Sequence, residues 1–160
     1  MKRQKQPNGV SKASTELASV LPAQLSIQTS DAVREILAEA AAANTTRSYA
    51  TALRYWAGWH QARYGIDLPF PVDESTVIQF IVDHLARRNA EGLTWELPDT
   101  VDRQLMANGL KSKLGPWKLN TVTHRVAVLS TAHRLKRLPN PCEQPAVRTV
   151  LSRGRRASIK

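Results

Sequence analysis

The chain has 160 residues, 42% of them hydrophobic, with one cysteine and a formal net charge of +10. That length gives one domain plus tails with enough material for a core. The lone thiol excludes an internal disulfide and a cysteine-built metal cage, and no apolar run approaches the roughly 20 residues of a membrane span. The opening, MKRQKQPNGVSKAS, is basic but lacks the apolar stretch of a secretory signal, so a cytoplasmic protein is expected. Charge is unevenly placed: Met1 to Lys12 carries four cations and no acid, Ala13 to Trp117 is net −3, and Lys118 to Lys160 sets ten cations against Glu143 alone. A basic field gathered at the ends favours a polyanion, nucleic acid before membrane.

Residues 1–28 are polar, charged or small, with Pro7, Gly9 and Pro22, and read as a disordered basic tail. A first helix is expected from about Asp31 to Ala43, capped by Ser30 or Asp31, with Val33, Ile36, Leu37 and Ala40 as its buried stripe and Asn44 as its interruption. A second helix follows from about Thr45 to Tyr64. Tyr49, Leu53, Trp56, Ala57, Trp59, His60 and Tyr64 share one arc, and His60 among these aromatics reads as a core histidine. The far arc holds Arg47, Ser48, Thr51, Arg54 and Gly58, small residues flanked by cations.

Gly65, Pro69 and Pro71 mark a turn before a third helix, Glu74 to Arg88, capped by Asp73 or Ser75; Val77, Ile78, Ile81, Val82 and Leu85 form its apolar side and His84 is expected at the surface. From Asn89 to Trp117 glycines and prolines interrupt the pattern, and this stretch reads as an irregular insertion with one short helix near Thr100 to Asn108 packing Val101, Leu105 and Met106. Lys118 to Arg137 is the next helix, with Asn120 or Thr121 as cap. Val122, Val126, Val128, Leu129, Ala132 and Leu135 lie on its apolar arc, while Asn120, Thr123, His124, Ala127, Ser130, Thr131, Arg134 and Arg137 lie opposite. Arg125 projects onto the apolar arc, where it either bends out to a phosphate or pairs inside the fold. After Pro139 and Pro141 a last helix starts at Gln144 with Pro145 at its first position, lined by Val147, Val150 and Leu151, and the basic SRGRRASIK is expected to be flexible. The periodicities predict an all-α bundle. Small residues let a helix sit deep in a groove, and Asn, Thr, His and Arg read base edges or grip phosphates; a solvated amphipathic face is the alternative for the same pattern.

Asn44 to His60, NTTRSYATALRYWAGWH, resembles the second helix of the core-binding domain of Cre-like tyrosine recombinases and phage integrases. Lys118 to Pro141, KLNTVTHRVAVLSTAHRLKRLPNP, resembles the fourth helix and the turn after it, and PAVRTVLSRGRR resembles the fifth helix and the linker that follows. The likeness spans about Asp31 to Arg156, broken by the 89–117 insertion. It implies a four- to five-helix orthogonal bundle of the SAM-like core-binding type over residues 29–152, clamping double-stranded DNA, with 153–160 as a basic linker toward a catalytic domain. Carried over by position, Arg47, Ser48, Thr51 and Arg54 on one helix and Asn120, Thr121, Thr123 and His124 on another would face the major groove, nearly the residues already selected by helical face. Lys118 and Arg134 join them as expected DNA-binding residues, and Arg153, Arg155, Arg156 and Lys160 are expected to act through phosphates. Other recombinase protomers on the same DNA are implied as partners through the first and last helices. The tyrosine nucleophile of the family sits on a separate domain, and the sequence ends at Lys160 without it. No catalytic residue, cofactor or metal site is therefore expected, and Tyr49, Tyr55 and Tyr64 are not assigned one. A helical protein-interaction module and a stand-alone DNA-binding regulator are the competing readings.

Overall fold

A computed structural model describes residues 27–158, with side chains from 29 to 154. Residues 1–26 of the expected 1–28 tail and the end at 159–160 lie outside the described residues, whereas residues 27 and 28, also expected in that tail, are helical. Helix α1 spans Ile27–Tyr64, α2 Glu74–His84 and α3 Asp99–Ala107; α4 spans Leu119–Leu135 and α5 Pro145–Ser158. A hairpin of β1 (Arg87–Asn89) and β2 (Gly92–Thr94) and a 3₁₀ turn at Pro141–Glu143 complete the order, so the protein is mostly helical, as expected. Among the described residues no helix is long and apolar enough to cross a membrane. Contacts divide the chain into two compact units, up to Arg47 and from Ser48 onward.

In the first unit, the expected break at Asn44 does not occur: α1 runs straight through it. The run Ala40 to Ala43 is the best helix-forming composition there is, and no Gly or Pro intervenes before Gly58. Thr45 and Thr46 donate their hydroxyls to the Ala41 and Ala42 carbonyls, both at 3.1 Å, so their polar groups are satisfied inside the helix. The expected burial of the Val33, Ile36, Leu37 and Ala40 stripe also fails. Only Val33 is half-buried, and Ile36 is 63% exposed. A 3.6-residue period makes a face that can be buried; it does not supply the surface that buries it.

The second unit is organised on an aromatic core. Ala52, Tyr55, Trp56, Trp59 and His60 recur at helical spacing on α1 and are buried. Trp56 stacks on Phe80 of α2 at 3.7 Å between centroids, and Trp59 meets the same ring edge-on at 5.1 Å. Such pairs add about 0.5–1.5 kcal/mol each beyond the area they bury. The stripe is rotated from the expected arc: Tyr49 and Tyr64 are exposed, and Tyr55 is inside. Its phenol donates to His84 Nε2 at 2.6 Å, while His84 Nδ1 donates to the Phe80 carbonyl at 2.7 Å. His84, expected at the surface, is fully buried because Trp117 folds back and stacks on it at 4.4 Å. His60 is a core histidine, with Nδ1 donating to the Ile66 carbonyl at 2.9 Å.

Asp73 caps α2, accepting from the Thr76 amide at 2.8 Å, and α2 ends at His84, short of the expected Arg88. There Leu85 pairs with Trp117 in an isolated parallel bridge. The insertion is not irregular: it forms the hairpin and α3, and Leu97 between them joins Val101 and Leu105 of α3 in the main core. Lys111 and Asp102 form a buried ion pair at 2.5 Å, whose spare valences go to the Gly115 carbonyl and amide, each at 2.8 Å. Leu110 lies over Gly58, where a Cβ would stand 2.2 Å from the Leu110 Cδ1, so Gly58 is covered by the insertion and does not lie open on the far arc.

Helix α4 buries Val122, Val126, Val128, Leu129 and Ala132 as expected, whereas Leu135, its last residue, is 78% exposed. Arg137 takes φ 54° and Leu138 N donates to the His133 carbonyl at 3.0 Å, a left-handed C-terminal cap made without glycine. His133 Nε2 accepts from the Val72 amide at 3.0 Å and ties the preceding loop to α4. Helix α5 continues to Ser158 through the segment expected to be flexible, with Val147 buried.

Candidate nucleic-acid interface

Two helices carry the groups singled out by sequence. On α1, Arg47, Ser48, Thr51 and Arg54 are all exposed; Arg47 belongs to the first unit and the other three to the second. They are exposed because the buried stripe of Tyr55, Trp56 and Trp59 turns the opposite side of the helix outward. On α4, Lys118, Asn120, Thr121 and His124 are exposed. Thr123 is half-buried, its Oγ1 sealed from solvent without a hydrogen-bond partner among the described residues, so it is the least available of the set. Lys118 is the N-cap residue and offers no side-chain cap, which leaves Asn120 and Thr121 inside the first turn and not in the capping role expected of one of them.

In the second unit the two helices meet at one junction, where Trp56 Nε1, on the buried stripe of α1, donates to the Arg125 carbonyl of α4 at 2.9 Å. Arg134 is exposed about 14 Å further along α4, at 1.5 Å of rise per residue, and lies outside that junction. Ser130, on the same arc, is tied to Asn140 Nδ2 at 2.7 Å, and Thr131 donates back to the Ala127 carbonyl at 3.1 Å. The polar arc of α4 is thus open toward its N-terminal half and occupied further along. Arg153 is exposed on α5, where it shares a shallow cleft with Arg148, Thr149 and Ser152. Arg155 and Arg156 lie on the same helix beyond the described side chains.

Two further residues bear on the site, one of them, Arg148, not singled out from sequence and the other left between two readings. Arg148 is exposed beside Arg153, and α5 periodicity with its neighbours could have found it. Arg125 is the other. Its guanidinium lies over the Tyr55 ring at 5.4 Å and the Trp117 ring at 5.5 Å, so it neither joins an acid inside the fold nor swings free. The only sequence signal was a lone cation on an apolar arc.

Of the tyrosines Tyr55 is buried while Tyr49 and Tyr64 are exposed, and Cys142 is half-buried. Burial pushes the Tyr55 phenol well above its usual range, and burial pushes the Cys142 thiol up to about 12. Cys142 is itself turned to the Val126 carbonyl at 3.7 Å. Neither group is an activated nucleophile. No known family model matches the chain, and no curated protein or solved structure matches it.

Proposed function

We propose that the unit from Ser48 onward is a duplex-DNA-binding module of the core-binding kind found in tyrosine recombinases and integrases. The observation that carries this reading is the α1–α4 junction. Ser48, Thr51 and Arg54 are exposed on one helix and Lys118, Asn120, Thr121 and His124 on the other, and the buried Trp56 joins the two helices. Rigid helices that present Asn, Thr, His and Arg suit major-groove readout, and the +9 carried by residues 118–160 supplies the sequence-independent attraction to phosphate. The resemblance of both helical segments to that family adds the groove geometry.

On this reading the chain binds without cutting, and Tyr55, buried against His84 with its phenol held protonated, takes no part in cleavage. The exposed Ile36 and Leu37 then belong to contact with a neighbouring protomer on the same DNA. The test is selection from a randomised duplex library followed by binding at several salt concentrations. A recovered consensus, with log K falling linearly against log salt, supports the reading. Binding that selects no sequence, or that ignores salt, defeats it and favours a protein-interaction module.

A further inference from the structure

A guanidinium partly withdrawn from water normally finds a carboxylate, and the half-buried Arg125 has no ion pair among the described residues. Each described ion pair joins other residues. Its Nε is sealed from solvent with no hydrogen-bond partner among the described residues. The buried acids near this core are already engaged. Asp102 holds Lys111 and the Gly115 amide, and Asp83 accepts from Trp59, Arg63 and Gln79 at 2.9, 3.1 and 2.7 Å. Desolvation pulls the Arg125 pKa down, and only the Tyr55 phenol opposes it. The charge is therefore held in place by stacking on two rings while its electrostatic partner is missing.

The position of the group is defined as well. Trp117 precedes α4, so contact with its ring places the guanidinium at the N-terminal end of that helix. Side chains on a helix lean that way, and there the helix dipole also favours an anion. Thr121 lies one turn from Arg125 on the same side, and His124 is adjacent.

We propose that Arg125 is a preset clamp for one DNA backbone phosphate, gripped through its planar fork while Asn120 and His124 face the neighbouring bases. This rests on the DNA-binding reading above. Stacking fixes the fork before DNA arrives, so little side-chain freedom is lost on binding, and the incoming phosphate supplies the missing counter-charge.

The experiment uses the full chain and a duplex that it has itself selected from a randomised library. Wild-type and Arg125→Gln proteins are compared for affinity across salt, then on duplexes carrying a single uncharged methylphosphonate at each position in turn. The expected result is about a tenfold loss for Arg125→Gln and a salt slope shallower by roughly 0.9, one phosphate contact. One methylphosphonate should weaken the wild type and leave Arg125→Gln unchanged. If Arg125→Gln does not fold by circular dichroism, Arg125→Lys takes its place, keeping the charge but losing the fork; the same methylphosphonate should then cost it less than it costs the wild type. A merely structural arginine moves the melting curve and not this phosphate-specific coupling. Equal losses for both proteins at every position, or equal salt slopes for wild type and Arg125→Gln, overturn the clamp while leaving DNA binding intact. A wild-type chain that selects no duplex overturns the DNA reading first.

Discussion

His124 and Leu129 sit on one helix and separate two jobs. His124 is exposed in the second turn of α4, free of the packing that occupies the other side. Leu129 is fully buried in the core cluster with Trp56 and Phe80. His124→Ala is expected to leave the melting temperature almost unchanged and to relax preference at one or two base positions, worth about 1–3 kcal/mol of discrimination. Leu129→Ala should do the reverse, costing about 2–5 kcal/mol of stability through the cavity it leaves. Paired melting curves and library selections check both. A selected site that survives His124→Ala intact removes that residue from the interface. At this scale the sequence separated the two faces of α4 well but misjudged individual burial. His84 looked like a polar helix end, yet Trp117, 33 positions later, covers it. Tyr49 and Tyr64 looked like core aromatics because their helix is aromatic on several sides, and only the partner surface chooses among them.

At the scale of elements, the 89–117 insertion differs most from its sequence pattern. Glycines and prolines punctuate it, which reads as irregular loop, and its long-range polar contacts have no local signature. In the structure Asp102 on α3 and Lys111 beyond it close the insertion through a buried pair, and Lys111 also lies 5.8 Å from the Trp117 ring centroid. The pair thereby anchors the residue that covers His84 and stacks under Arg125. Asp102→Ala leaves a buried ammonium unpaired, and that kind of change costs about 3–5 kcal/mol. Chemical denaturation of Asp102→Ala beside the double variant Asp102→Ala/Lys111→Met should show the second change recovering part of the loss. A single variant as stable as wild type would mean that solvent reaches the pair and that it does not lock the insertion. The continuous α1 is the other difference of this kind. Asn44 weakened the pattern there, but alanines on one side and self-satisfied threonines on the other carried the helix through.

For the molecule as a whole, acid should be destabilising for an identifiable reason. Burial, the largest cause, pushes His84 down to about 3 from an ordinary 6.5, so it stays neutral in the fold while accepting from Tyr55 and donating to Phe80. Between those two values the unfolded chain holds one more proton than the folded one. Stability is therefore complete above about 6.5 and falls as pH is lowered toward 3, by up to about 1.4 kcal/mol per pH unit for this one group. Urea unfolding at pH 7 and pH 5, with the His84 ring followed by NMR, measures it. A ring that titrates near 6.5 in the folded protein would contradict its burial. The same core orients the candidate interface, since Trp56 fixes α4 and Trp117 supports Arg125. Loss of the core in acid should therefore remove binding together with stability.

The sequence by itself determined the helical class, the position of α4 and its apolar face, the short helix near Thr100 to Asn108, and the concentration of positive charge in the C-terminal quarter. Each follows from local periodicity, breakers or composition, which act over a few residues and need no partner. Only the tertiary structure decided which aromatics of α1 face inward, that the insertion is part of the core, that His84 is buried and that Arg125 has rings and no acid beside it. Those outcomes depend on residues brought together from distant points of the chain. One helical period allows several burial choices, and packing against a particular neighbour selects one.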